Sequence, residues 1–155
     1  MGTMYCMCGL PGSGKTHFAK ALIKANKGVL YFSPDEYYEK INGDSRDRSN
    51  TFQIWHTMFQ DIHDAAVSGE DVLIDSDNLT FAQRTQWIEW FPEFSNRVLF
   101  YFDRPFGECY LNVLNRTRTI PLKTMEEKAQ KWENPSLGRD RENWDNIYRI
   151  TSKEI

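Results

Sequence analysis

The residues best equipped for chemistry form one run, Gly9-Leu10-Pro11-Gly12-Ser13-Gly14-Lys15-Thr16. It fits the spacing G-x-x-x-x-G-K-[ST], the loop that wraps the phosphates of a nucleoside triphosphate such as ATP. Glycines let the backbone curl until successive N–H groups face one anion, a path that side chains obstruct. Lys15 is the mobile cation for the β- and γ-phosphates, and the Thr16 hydroxyl is a hard oxygen ligand for Mg²⁺. The helix expected to follow adds the positive end of its dipole, and His17 joins the nucleotide-binding set.

Two acids stand just past apolar runs. Asp35 follows Val29–Phe32 and Ser33-Pro34. A carboxylate there could accept a proton from an alcohol attacking the γ-phosphate. An Asp in a first helical turn also simply complements the dipole, and the local sequence leaves both roles open. Asp75 ends Val72-Leu73-Ile74, the usual way to set a carboxylate behind the water shell of Mg²⁺; a strand-end turn residue is the plainer role. Arg116 and Arg118 fall in Asn115–Thr119, between two expected helices. Guanidinium groups on a closing loop could clamp a transferring phosphoryl group; an R-x-R is otherwise a solvated loop. His17, His56 and His63 form no metal set, and Lys123, Lys128, Lys131, Arg139 and Arg141 read mostly as solvated charge.

The elements that must position these groups alternate. Met4–Cys8, Val29–Phe32, Val72–Ile74, Arg97–Phe102 and Ile147–Ile150 read as short buried strands. Helices are expected over Thr16–Ala25 with Lys27-Gly28 closing it, from Asp35 to Asn42-Gly43, over Thr51–Val67, from Thr80 to Pro92, from Pro105 to Asn115, and from Lys123 to Trp132. Ser33-Pro34-Asp35-Glu36 and Thr80-Phe81-Ala82-Gln83 are read as capping boxes. In Thr51–Val67 the inward stripe is taken as Phe52, Trp55, Phe59, Ile62 and Ala66. Continuous apolar strands alternating with helices give an α/β fold, a parallel sheet covered on both faces. Ligands in such sheets sit at the carboxyl ends of the strands, where the glycine loop, Asp35 and Asp75 all fall.

Composition bounds the rest. With 155 residues, 26% charged and 40% hydrophobic, one globular domain over residues 1–155 is expected. A net charge of −3 excludes a broadly basic nucleic-acid coat but not a local basic groove. Three cysteines are too few for a disulfide scaffold. No apolar run is long enough to span a membrane and the N-terminus lacks a leader pattern, so a cytoplasmic protein is expected.

Taken in order, Gly9–Thr16, Ser-Pro-Asp35-Glu-Tyr37, Val-Leu-Ile-Asp75-Ser-Asp-Asn78-Leu-Thr with Arg84, and Asn115-Arg-Thr-Arg118 before Pro121 resemble the 5′-hydroxyl polynucleotide kinase family. Trp132-Glu-Asn-Pro135 and Trp144-Asp-Asn-Ile resemble the end of that kinase domain. The resemblance implies a five-stranded, adenylate-kinase-like three-layer fold with a lid loop near 115–121. It implies Mg²⁺-dependent transfer of the ATP γ-phosphate to a hydroxyl, with Asp35 as general base and Arg118, beside Arg116, as the lid arginine. It sets Tyr38, Asp77 and Arg84 on the acceptor side. Two departures stand out: the family often has Thr where this chain has Asp77, and phage members can carry an acceptor-holding Arg where it has Tyr38. A tyrosine there could stack on a base. Within these 155 residues no phosphatase or ligase domain of the kind that often accompanies such kinases is expected. The expected partners are ATP and a 5′-hydroxyl oligonucleotide, with a small hydroxylated metabolite as the alternative acceptor and a regulatory nucleotide-binding module as the alternative without transfer.

Overall fold

A computed structural model describes residues 2–116, 119–135 and 142–152. Five strands, β1 (Thr3–Cys8), β2 (Val29–Phe32), β3 (Asp71–Ile74), β4 (Asn96–Phe102) and β5 (Asn146–Ile150), pair in the order β2-β3-β1-β4-β5. Every pairing is parallel. Cys6 of β1 lies opposite Ile74 on one side and Leu99 on the other. Met4, Cys6, Met7 and Cys8 are all fully buried, as a strand covered on both faces requires. All five expected strands are therefore present.

The helices are α1 (Lys15–Ala25), α2 (Pro34–Asn42), α3 (Thr51–Val67), α4 (Phe81–Trp90), α5 (Phe106–Leu114) and α6 (Leu122–Lys131). α1 lays Phe18, Leu22 and Ile23 on one face of the sheet, against Met7, Leu73 and Phe100. α3 and α4 cover the other face with Met58, Ile62, Ala65, Trp87 and Ile88 against Cys6, Ile74 and Leu99. α5 and α6 form a third, smaller cluster of Cys109, Val113 and Met125, packed on Leu10 of the glycine loop. From β1 the chain crosses to β2 on one side and later reaches β4 on the other. The ends of β1 and β3 therefore frame the crevice where open parallel sheets bind ligands.

Three local expectations are corrected. The buried stripe of α3 runs through Ile54, Met58, Ile62, Ala65 and Ala66, while Phe52 is 86% exposed. The expected stripe holds in part: Ile62 and Ala66 lie in the core and Trp55 and Phe59 pack against it, so the correction falls on Phe52, with Ile54, Met58 and Ala65 filling the adjacent line that periodicity fits equally well. The box at Ser33 does not form: Ser33 is the N-cap of α2, but its side chain makes no cap hydrogen bond. The box at Thr80 does form, with Gln83 N–H donating to Thr80 Oγ1 and the Gln83 side chain answering the backbone. α1 ends on Asn26, whose N–H returns to Leu22 O and Ile23 O, rather than on Lys27-Gly28.

Cys6, Cys8 and Cys109 are free thiols. Burial pushes the Cys8 thiol up to about 12, which leaves it an inert core group. Among the described residues no helix is long and apolar enough to cross a membrane.

Candidate active site

The glycine loop joins β1 to α1, and two of its glycines are set by geometry. Gly14 caps α1 with φ 98°, and Gly12 has φ 81°. A Cβ on Gly12 would stand 2.2 Å from the Cys109 carbonyl oxygen of α5. Asn112, also on α5, donates from Nδ2 to Gly12 O at 2.9 Å. α5 is thus seated directly on the loop, and only a residue without a side chain permits the approach.

Lys15 is buried, and its ammonium donates to Gly9 O at 2.8 Å and Leu10 O at 2.9 Å. Thr16 Oγ1 donates to Asp75 Oδ2 at 2.8 Å, joining the hydroxyl after the lysine to the acid at the end of β3. Tyr31 of β2 also donates its phenol to Asp75 Oδ2, at 2.5 Å. Burial, then the Asp75 charge, pushes that phenol far above its ordinary range, so Tyr31 stays protonated and donating.

The crevice above these groups has a volume of about 720 Å³ and is lined by Gly12, Gly14, Lys15, Thr16 and His17. Asp35, Arg48 and Trp55 line it too, as do Asp75, Asp77, Arg104, Arg116 and Lys128. The fold therefore gathers Lys15, Thr16, Asp35, Asp75, Asp77 and Arg116 around one cavity. Arg118 lies outside the described residues. Leu10 turns away to the α5–α6 cluster and contributes its backbone carbonyl.

Asp35 sits in the first turn of α2, half exposed, with Oδ1 accepting from Arg48 Nη2 at 2.8 Å. The same guanidinium covers the face of the Tyr38 ring, 4.3 Å from its centroid. Tyr38 is buried and donates its hydroxyl to Thr51 Oγ1 at 3.1 Å. It thus supports Arg48 from beneath, and the ring face that could have met a base is covered by that guanidinium.

Arg84 is corrected. It is fully buried and spends all five N–H bonds inside the protein. Two go to Glu142 Oε1 and Oε2 at 2.7 and 3.1 Å, two to Asn78 O and Leu79 O, and one to Glu133 O. Such an arginine fastens chain segments together and has nothing left for a substrate.

Asp77 does reach the cavity, where it lies between Lys15 and Lys128. Burial would push its carboxyl up; the two lysines outweigh this and hold it below the usual carboxylate value. Lys128 is therefore part of the site and not a solvated charge.

A family model described as an AAA domain matches residues 4–135. The chain belongs to the AAA-domain family. None of the curated proteins matches the sequence. Among solved structures, a chain of the Pnkp1/Rnl/Hen1 RNA repair complex is similar with TM-score 0.74 and 18% identity, over 84% of this chain and 43% of that one. This AAA domain thus spans less than half of that RNA-repair chain. A sugar kinase from Janibacter sp. is similar with TM-score 0.69 and 15% identity, over 100% of this chain and 87% of that one. Chaetomium thermophilum Kti12 in complex with ADP-AlF3 gives TM-score 0.70 and 13% identity, over 98% and 90%. At these identities the likeness shows the fold alone, an α/β fold with a five-stranded parallel sheet covered by helices.

The donor set fits Mg²⁺. Thr16 and Asp75 offer neighbouring hard oxygens, and a cation that prefers one carboxylate plus substrate phosphates needs no more from the protein. Bound there, the ion would neutralise charge on the β- and γ-phosphates. Tyr31, which the sequence showed only as a strand residue, orients the carboxylate. Tyr31→Phe is expected to raise the Mg²⁺ concentration for half-saturation by about 10-fold or more. Calorimetric titration with ATP at graded Mg²⁺ measures this, with metal-free ATP affinity unchanged.

Proposed function

We propose that this domain is an ATP- and Mg²⁺-dependent kinase that phosphorylates the 5′-hydroxyl of a nucleic acid. The observation carrying the reading is that one cavity is lined both by Lys15, Thr16 and Asp75, which suit phosphate and metal, and by Trp55 and the Asp35–Arg48 pair, which suit an acceptor. The acceptor oxygen attacks the γ-phosphorus as the bond to the β-phosphate bridging oxygen breaks. The acceptor proton passes to an Asp35 carboxylate oxygen and ADP leaves. Arg116, with Arg118, is assigned to the charge on the transferring group. Residues 1–155 act as one domain in this reading.

Arg48 and Trp55 support a nucleotide acceptor. A guanidinium suits a phosphate on the acceptor, and an indole offers a face to a base. The RNA-repair neighbour agrees with this choice. A small hydroxylated metabolite is the second reading, supported by the net charge of −3 and the sugar-kinase neighbour.

Labelled ATP offered with a 5′-hydroxyl oligonucleotide, a nucleoside 3′-phosphate and a panel of sugars separates the two. Label in the nucleic-acid acceptors is expected; label confined to a sugar overturns the reading. Trp55→Leu is then expected to raise the oligonucleotide KM by on the order of 5- to 100-fold, the worth of one stacked base, with the KM for ATP unmoved.

A further inference from the structure

An ammonium group has three N–H bonds, and in this structure Lys15 gives them to Gly9 O, Leu10 O and Asp77 Oδ1, the last at 3.2 Å. A phosphate oxygen must displace at least one of these acceptors to gain the lysine. Two are neutral carbonyls. The third is a carboxylate, and it is the strongest competitor a phosphate meets.

Asp77 has a second suitor. Lys128 of α6 donates to Oδ2 at 2.5 Å. Two cations on one carboxylate repel each other, so each weakens the other's hold. Asp77 stands in the turn after β3, its own backbone oxygen accepting from Gly9 N–H at 2.9 Å. It cannot follow Lys15 into the cavity without disturbing the loop. Lys128, by contrast, rides on the long side chain of a partly exposed helix residue.

We propose that Lys128 is a positioning residue for the nucleotide: it neutralises Asp77 so that Lys15 can transfer to the phosphates. The transfer leaves Asp77 wholly to Lys128 and fastens α6, which follows the Arg116 loop, against the end of β3. By linkage, whatever steadies α6 favours nucleotide to the same degree. The inference rests on the nucleotide-binding part of the proposed function and is indifferent to the acceptor.

Calorimetric titration of the wild type, Asp77→Asn, Lys128→Met and the double variant with ATP, with and without Mg²⁺, tests it. Asp77→Asn keeps the size but removes the competing charge, and is expected to bind metal-free ATP about 3- to 10-fold more tightly. Lys128→Met leaves Lys15 alone with Asp77 and is expected to bind ATP more weakly by a similar factor, while Lys128→Arg restores most of that loss. In the Asp77→Asn background, Lys128→Met is expected to change nothing, because the charge it answers is gone. A Lys128→Met loss of equal size in both backgrounds would mean that Lys128 touches the nucleotide itself, and overturns the proposal. Weaker metal-free binding by Asp77→Asn overturns it as well. No acceptor enters the assay, so a failed nucleic-acid reading leaves these affinities as they are.

Discussion

Asp35→Asn is expected to lower the single-turnover rate of phosphoryl transfer by on the order of 10²–10⁴-fold while leaving ATP affinity nearly unchanged. Asn preserves the size and an acceptor oxygen, so the contact from Arg48 Nη2 at 2.8 Å survives as a hydrogen bond. What is lost is the capacity to take up a proton, and general-base assistance is worth about that factor. The plainer role gives a different result. An acid that only complements the dipole of α2 costs about 0.3–1 kcal/mol of stability when neutralised, with turnover intact. The position of Asp35 in the first turn of α2 suits both roles; its place on the cavity wall with Arg48 and Trp55 suits the base. Rapid-quench measurement is the right check, since slow product release can hide a lost chemical step. A wild-type single-turnover rate in Asp35→Asn removes the base and with it the main support for the kinase reading.

The nucleotide half of the site was legible because its chemistry is local. Gly9–Thr16 are contiguous, and backbone amides, an ammonium and a hydroxyl need only the turn that the glycines allow. Asp75 was legible because an apolar run ending in an acid marks a strand end at the crevice. The cavity wall that carries Arg48 and Trp55 was not. Arg48 lies in a loop of mixed charge and reaches Asp35 across 13 positions, with no period or motif to announce it. Trp55 was counted into the core and does pack against it, but only half-buried, with its remaining surface on the cavity; that second role has no signal in the helical period. Of the rings on α3, Phe52 is turned out to solvent, while Trp55 and Phe59 pack at the edge of the core. Lys128 failed for the same reason as Arg48: its partner is 51 residues away.

Arg84 shows the opposite error, a charged residue given to the site that belongs to the core. It ties the turn after β3, through Asn78 O and Leu79 O, to Glu133 after α6 and to Glu142 before β5. Trp144 Nε1 also donates to Glu142 Oε1 at 3.1 Å, and Trp132 lies 5.8 Å from the guanidinium. Arg84→Met removes the cation and leaves the Glu142 carboxylate, 1% exposed, without its charge partner. Breaking one side of such a pair costs about 3–5 kcal/mol. At about 2–4 °C per kcal/mol for a domain of this size, the expected fall in Tm is about 6–20 °C. Adding Glu142→Gln is expected to recover part of the loss, because a neutral amide in that place carries no charge to desolvate. Thermal melts of the single and double variants measure both steps. An acceptor-binding arginine predicts the reverse pattern, a raised acceptor KM with Tm intact and no rescue by Glu142→Gln. With every N–H already engaged and the side chain out of solvent, the loss is expected in Tm, and any fall in activity should track the unfolded fraction.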